Sequence, residues 1–204
     1  MTTTPKAAYQ EKRNAFDPRY LGSLRRQIAA CPYFTANTLN RDFVATRGFS
    51  VVFRREGRAR VDAAFPFFKT YLDAAIAADC TAFYLNPLSL GRGSRVDPHI
   101  DRSLQSYYAR VDPPLVVTVL YVEVPVGMVG GELVLSNGRR RLATIAPTAN
   151  TLVSFGGHLT HSIHRVDTEG QRLSLVCEQY ALTDSELVGI PEFAIESRAR
   201  RVDR

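Results

Sequence analysis

From Thr81 to Ala181 the chain is a succession of short β-type runs, each cut off by turn residues. The runs are 81–90, 95–103, 115–124, 132–136, 139–146, 151–155, 160–166 and 171–181. Asp112-Pro113-Pro114, Gly130-Gly131, Ala146-Pro147 and Glu169-Gly170 punctuate them, and Asn137-Gly138 between two runs is a strong hairpin signal. Eight short strands at this spacing predict a sandwich, a jelly roll or a barrel.

The segment before Thr81 reads differently. Asp17-Pro18 is an N-cap followed by proline at the first helical position. Tyr20, Leu21, Leu24 and Ile28 continue at helical spacing to about Cys31. Residues 43–55 look extended, with Phe49, Val51 and Phe53 alternating. Phe65, Phe68, Leu72 and Ile76 mark a second helix over about 62–79. The first sixteen residues are polar and read as frayed. After Thr183 a capped turn and a short helix over 191–198 close the chain. The 204 residues therefore read as one domain: a support segment over 1–79, a β core over 80–182 and an extension over 183–204.

Composition narrows the class. Hydrophobic residues at 45% and charged residues at 23% exclude global disorder. The net charge of +6 would suggest a polyanionic partner if it were evenly spread. It is not. Residues 1–60 carry 12 basic and 4 acidic side chains, and Arg198 to Arg204 add a basic tail, leaving 61–197 at about −5. The N-terminal Met-Thr-Thr-Thr-Pro-Lys has no apolar core of a secretory signal, and the apolar stretch from Pro113 to Gly131 is interrupted by Glu123 and Pro125. The three cysteines, Cys31, Cys80 and Cys177, read as reduced thiols. Together these point to a cytoplasmic protein, not a membrane one.

The chemistry sits at two places. His99-Ile100-Asp101 lies in a strand-like run, where residues two apart share a face and reach one point. Far along the chain, the apolar strand 151–155 leads through Gly156-Gly157 to His158, His161 and His164, and then to Arg172. One of those histidines with His99 and Asp101 would make two imidazoles and one carboxylate. That set leaves three positions open on a six-coordinate metal and suits non-haem Fe(II). Arg172, flanked by apolar residues, could hold a carboxylate in a bidentate pair.

At these residues the chain resembles the Fe(II)- and 2-oxoglutarate-dependent dioxygenases, in their prolyl-4-hydroxylase-like branch. The order runs His99-x-Asp101, Leu120-Tyr121, Gly130-Gly131-Glu132-Leu133, His161-Ser162-Ile163-His164-Arg165-Val166 and Gly170-Gln171-Arg172-Leu173-Ser174. The resemblance covers about 80–181. It implies a mainly β double-stranded β-helix (jelly roll) with flanking helices. It implies Fe(II) held by His99, Asp101 and His161, with His164 and His158 as competitors for the third position. It also implies 2-oxoglutarate and O2 as cosubstrates, with Arg172 on the distal carboxylate and Ser174, Asn86 and Tyr121 beside it. Arg102, Tyr84 and Glu178 are the candidate substrate contacts. Glu178 stands where the nucleic-acid-demethylating branch usually has an Arg, and Asp101 is the acid that the halogenating branch lacks.

The expected activity is hydroxylation of a small molecule, of amino-acid or natural-product type, with release of succinate and CO2. Its pocket would be roofed by 31–60, Gly91–Asp97 and Ser103–Pro113, with Tyr107, Tyr108 and Arg110 nearby and Arg92, Gly93 and Arg95 in a mobile lid. Three alternatives stand beside it. They are hydroxylation of a protein side chain, a non-catalytic jelly roll whose basic ends bind nucleic acid, and a cupin-like centre using His158, His161 and His164 together.

Overall fold

One strand carries the architecture. A computed structural model describes residues 8–36 and 42–198, so the basic tail beyond Arg198 and positions 37–41 of the expected roof lie outside it. The described strands are β1 (Tyr9–Arg13), β2 (Thr35–Ala36), β3 (Phe43–Gly48), β4 (Ser50–Arg54), β5 (Ala82–His99), β6 (Val116–Glu123), β7 (Leu133–Asn137), β8 (Arg140–Ile145), β9 (Thr151–Gly156), β10 (Thr160–Ile163), β11 (Arg172–Tyr180) and β12 (Phe193–Glu196). Helices α1 (Pro18–Ala30), α2 (Arg58–Ala64) and α3 (Lys69–Ala75) precede β5, and α4 (Asp184–Leu187) follows β11.

β5 is 18 residues long and changes partners along its length. Its first half pairs antiparallel with β11 on one edge and β4 on the other. Its second half pairs with β10 and β3. A larger sheet therefore runs β1-β9-β6-β11-β5-β4-β12, and a smaller one runs β8-β7-β10-β5-β3-β2. The sheets share β5 and curl over each other as a jelly roll, one of the three forms the strand pattern allows and the one the resemblance implies.

The central strands are buried on both faces, which is why β11 is a nearly unbroken buried run. On the outer face, Phe83, Leu85, Leu120, Leu173, Leu175 and Cys177 pack against Leu21, Leu24 and Ile28 of α1 and against Phe65, Phe68 and Leu72. Each such side chain contributes about 1.5–3 kcal/mol of burial. Residues of the opposite parity face the space between the sheets. There the apolar pattern is broken by Asn86, Arg172, Ser174 and Glu178, all buried.

Asp17 caps α1 by accepting a hydrogen bond from the Arg19 amide. Asn137-Gly138 turns β7 into β8, with Gly138 at φ +56°. Thr183 and Glu186 form a capping box at α4. The three cysteines are free thiols. Among the described residues no helix is long and apolar enough to cross a membrane.

Four expectations need correction. The helix read over 62–79 is broken, because Pro66 forces Phe65 to φ −136° and ψ 66°; α2 ends there, and a short 3-10 turn over Pro66–Phe68 precedes α3. Within the segment read as frayed, Tyr9–Arg13 forms β1 on the edge of β9. Its burial is confined to Tyr9, and its charged residues suit a solvated edge. The closing helix read over 191–198 is instead β12, paired with β4. The runs 81–90 and 95–103 merge into β5, with Gly93 at φ +84° inside it and Ser103 in a 3-10 turn after it.

Gly130 adopts φ +79° and bridges to Val166. A Cβ there would lie 1.9 Å from the Arg165 carbonyl oxygen, a backbone atom that cannot swing away. Gly130→Ala is therefore expected to cost about 2 kcal/mol or more in urea denaturation. Wild-type stability in that variant would show that the loop adjusts freely.

Candidate active site

The site forms where β5 ends. His99 is its last residue, and His161 of β10 is its direct partner across the ladder. Ile100 turns outward, 39% exposed, so that Asp101 follows His99 inward. The Asp101 carboxylate lies 3.2 Å from His99 Nε2 through Oδ1 and 3.3 Å from His161 Nε2 through Oδ2. Potential ligand atoms of the three residues lie within 4.8 Å of one another.

Backbone carbonyls aim both rings. His99 Nδ1 is 2.8 Å from the Asp97 carbonyl oxygen, and His161 Nδ1 is 3.2 Å from that of Leu159. Each carbonyl favours the proton on Nδ1 and leaves Nε2 as the ligating atom. Phe43 meets the His99 ring edge-on at 5.5 Å, and Phe155 packs at 5.2 Å from that of His161. Burial alone would raise the Asp101 pKa, but His161 and then His99 reverse this and hold it well below the usual carboxylate range. Burial would lower the His99 pKa, yet Asp101 outweighs it and the value is raised. The cluster is thus arranged around shared positive charge, which suits a divalent cation.

The competing histidines lie elsewhere. His164 is exposed and faces Glu132, 3.2 Å away. His158 is exposed and folded over Gly156, where a Cβ would meet its ring at 2.7 Å. The expected cupin-like trio is therefore not assembled.

The triad lines a cavity of about 440 Å³ between the two sheets. At one end Arg172, the first residue of β11, is 1% exposed. Its Nη1 donates to the Gly131 carbonyl, and its guanidinium carbon lies 5.2 Å from the centre of the Tyr121 ring. Burial lowers the Arg172 pKa. Among the described residues no carboxylate pairs with it. Three buried polar atoms on the cavity wall outside the triad have no hydrogen-bond partner: Asn86 Oδ1, Tyr121 OH and Arg172 Nε. Ser174 stands opposite Tyr121 with its Oγ buried and unpartnered, but it does not line the cavity.

The other end holds Glu178, Tyr84 and Glu196. Glu178 accepts from the Ser103 amide at 3.2 Å, from the Ser103 hydroxyl at 2.5 Å and from the Tyr180 hydroxyl. Tyr84 donates to Glu196 at 3.1 Å and accepts from Ser50 at 2.7 Å. Tyr107 also donates to Glu196, at 2.7 Å. Arg102 reaches the rim but is exposed.

Several expectations about the roof need revision. Asp42, Phe43, Ser103, Gln105 and Ser106 do line the cavity, whereas from Gly91–Asp97 only Val96 does. Arg92 and Arg95 sit on an exposed part of β5, paired with Glu169 and Asp97. Tyr108 and Arg110 do not reach the cavity. Sequence reasoning missed Glu196, because 191–198 was read as a helix; the alternation of Phe193 and Ile195 with Ala194 and Glu196 was the available signal.

No protein-family model matches the chain, and no curated protein matches it. Solved structures do. A prolyl-4-hydroxylase from Pseudomonas putida aligns at TM-score 0.56 and 15% identity, over 87% of this chain and 94% of that one. A 2OG-Fe(II) oxygenase family oxidoreductase from Burkholderia pseudomallei aligns at 0.59 and 16%, over 86% of each. HygX from Streptomyces hygroscopicus, solved with nickel and 2-oxoglutarate, aligns at 0.56 and 14%, over 84% and 82%. The chain has the jelly-roll fold of these oxygenases.

Burial pushes the Glu178 carboxyl up to about 8, with Asp101 adding to the rise and the Ser103 and Tyr180 hydrogen bonds opposing it. The folded chain therefore keeps a proton that the unfolded chain releases. That stabilisation is complete below about pH 4.5 and is lost as pH rises through about 8. The Tm of metal-free protein is expected to decline between about pH 5 and pH 8. Glu178→Gln, which cannot ionise, should make the decline shallower. An unchanged slope would contradict this origin.

Proposed function

We propose that the chain is an Fe(II)- and 2-oxoglutarate-dependent dioxygenase that hydroxylates a small molecule, releasing succinate and CO2. The observation that carries this reading is the convergence of unpartnered buried polar atoms on one cavity, with the His99, Asp101 and His161 ligand atoms beside it. A buried polar group without a partner costs about 1–3 kcal/mol, so three on one wall beside the triad point to a polar occupant.

His99 Nε2, His161 Nε2 and the Asp101 carboxylate would hold the iron. Two imidazoles and one carboxylate match the ligand set of non-haem Fe(II) sites, which leaves open positions. When bound, Fe(II) would supply the redox chemistry that couples decarboxylation of 2-oxoglutarate to hydroxylation. Arg172 fits the distal carboxylate, because Nε is free while Nη1 is anchored on Gly131. Tyr121 OH can donate to the same carboxylate, and Ser174 backs that strand face. Asn86 lies between the cosubstrate end and the Glu178 end. Val117, Val119, Leu133, Phe155, Ile163 and Val176 form apolar walls that exclude water.

The small-molecule reading rests on the cavity's size, about 440 Å³ between the sheets. The fold itself does not set the substrate size: HygX has been captured with hygromycin B, and a prolyl hydroxylase from Trichoplax adhaerens with a peptide. Succinate formation with free amino acids and with peptides separates the two, and turnover with peptides alone would sink the small-molecule reading.

Asp101→Ala is expected to lose bound iron and to lower succinate formation roughly 100-fold or more, since it removes a charged ligand. His161→Ala should behave alike, whereas His158→Ala and His164→Ala should retain both properties. Arg172→Gln should raise the KM for 2-oxoglutarate about tenfold or more. Retained iron and full activity in the Asp101 variant would overturn the assignment.

A further inference from the structure

Among the described residues, two carboxyl groups of the cavity meet no cationic partner. Asp101, Glu178 and Glu196 line it, with the guanidiniums of Arg102 and Arg172. Asp101 belongs to the metal triad, Arg172 lies at the 2-oxoglutarate end, and Arg102 is exposed. Glu178 and Glu196 remain together at the opposite end.

Glu178 is 4% exposed. Its donors are the Ser103 amide, the Ser103 hydroxyl and the Tyr180 hydroxyl. Those of Glu196 are the Tyr84 and Tyr107 hydroxyls. Every one is neutral, and among the described residues no Lys, Arg or His forms an ion pair with either carboxylate. Tyr84 joins them: it is the ladder partner of Glu178 and the hydrogen-bond donor to Glu196. A carboxylate as deep as Glu178 is ordinarily paired with a cation.

An independent observation points to the same occupant. Asn86 shares the β5 face of Tyr84, is 5% exposed, and aims an acceptor, Oδ1, into the cavity with no donor to meet it. That oxygen can accept from an N–H. A metal ion is a poorer candidate for this end, because His99, Asp101 and His161 form the one metal-type group among the described residues.

We propose that the substrate carries a protonated amine, seated at the cavity end formed by Glu178, Glu196 and Asn86. This inference rests on the dioxygenase reading for what is done to the substrate, but not for what binds. An ammonium offers three donors and one positive charge, and three protein acceptors await them. A Glu178 carboxyl that holds its proton without a cation would ionise against one. The two ends then sort the ligands by charge. The dicarboxylate is drawn to Arg172 and the amine to Glu178 and Glu196, so neither occupies the other's place.

The test uses the full chain loaded with Mn(II) and 2-oxoglutarate. It is titrated calorimetrically with matched pairs in which acetylation removes the single basic nitrogen: L-proline and N-acetyl-L-proline, L-leucine and N-acetyl-L-leucine, L-phenylalanine and N-acetyl-L-phenylalanine. The series is repeated on metal-free protein. At least one amine is expected to bind about tenfold or more tightly than its acetylated partner. Glu178→Gln and Glu196→Gln should each bring that ratio toward parity. Glu196 is on the short strand β12 and only partly buried, so its variant serves where the Glu178 change impairs folding. Equal or better binding of acetylated members, binding of no amine in the panel, or a ratio that survives both substitutions would overturn the inference. Failure to take up Mn(II) and 2-oxoglutarate would remove the dioxygenase reading instead, and normal uptake without amine preference would remove this inference alone.

Discussion

The ladder between β5 and its two partners, β11 and β10, is the constraint on which everything else depends. Its register sets Arg172 against Leu90, Val176 against Asn86, Glu178 against Tyr84 and His161 against His99. Because side chains alternate across a sheet, a slip of one residue would turn Tyr84 and Asn86 under the helices and Phe83 and Leu85 into the cavity. Two features prevent it. The outer face is locked by large apolar side chains from α1 to α3, and β5 is gripped along both edges for most of its length. The apolar outer face therefore specifies where the polar inner face points.

That division has an energetic logic. The inner face leaves polar atoms without partners, which works against folding. The outer face offsets this with a continuous layer of Leu, Phe and Ile contacts. A chain whose helices covered this sheet less fully would have less margin for an unsatisfied cavity. Stability is drawn from one side of the large sheet and chemistry is placed on the other, with β11 contributing to both within nine residues.

Much of this was legible in the sequence, and for identifiable reasons. His99-x-Asp101 is local and survives any error about the surrounding fold. His161 and Arg172 were readable because their order and flanking apolar residues resemble a family pattern that spans several strands. Glu178, Tyr84 and Asn86 follow from parity once β5 and β11 are accepted as strands. What was not legible depends on partners remote in sequence. β1 has one half-buried residue and four exposed ones, so nothing in its own pattern announces pairing with β9. β12 is four residues long, and its strand state is decided by β4. Glu196 was lost with it. The break at Pro66 was locally readable, but the apolar stripe from Phe65 to Ile76 outweighed it.

Charge shows the same contrast between totals and places. The chain carries a surplus of +6, and its exposed pairs, such as Arg92 with Glu169 and Arg95 with Asp97, are of the kind that contributes little to stability. Inside the cavity the sign reverses. One buried guanidinium stands at one end, and carboxylates partnered only by neutral donors stand at the other, with the metal-type triad along the same wall. Interactions there are screened far less by solvent than those on the surface. A ligand meeting this protein is thus oriented by a few buried charges and hardly at all by the many exposed ones. The polarity of the cavity, and not the total charge of the chain, bears on what it accepts.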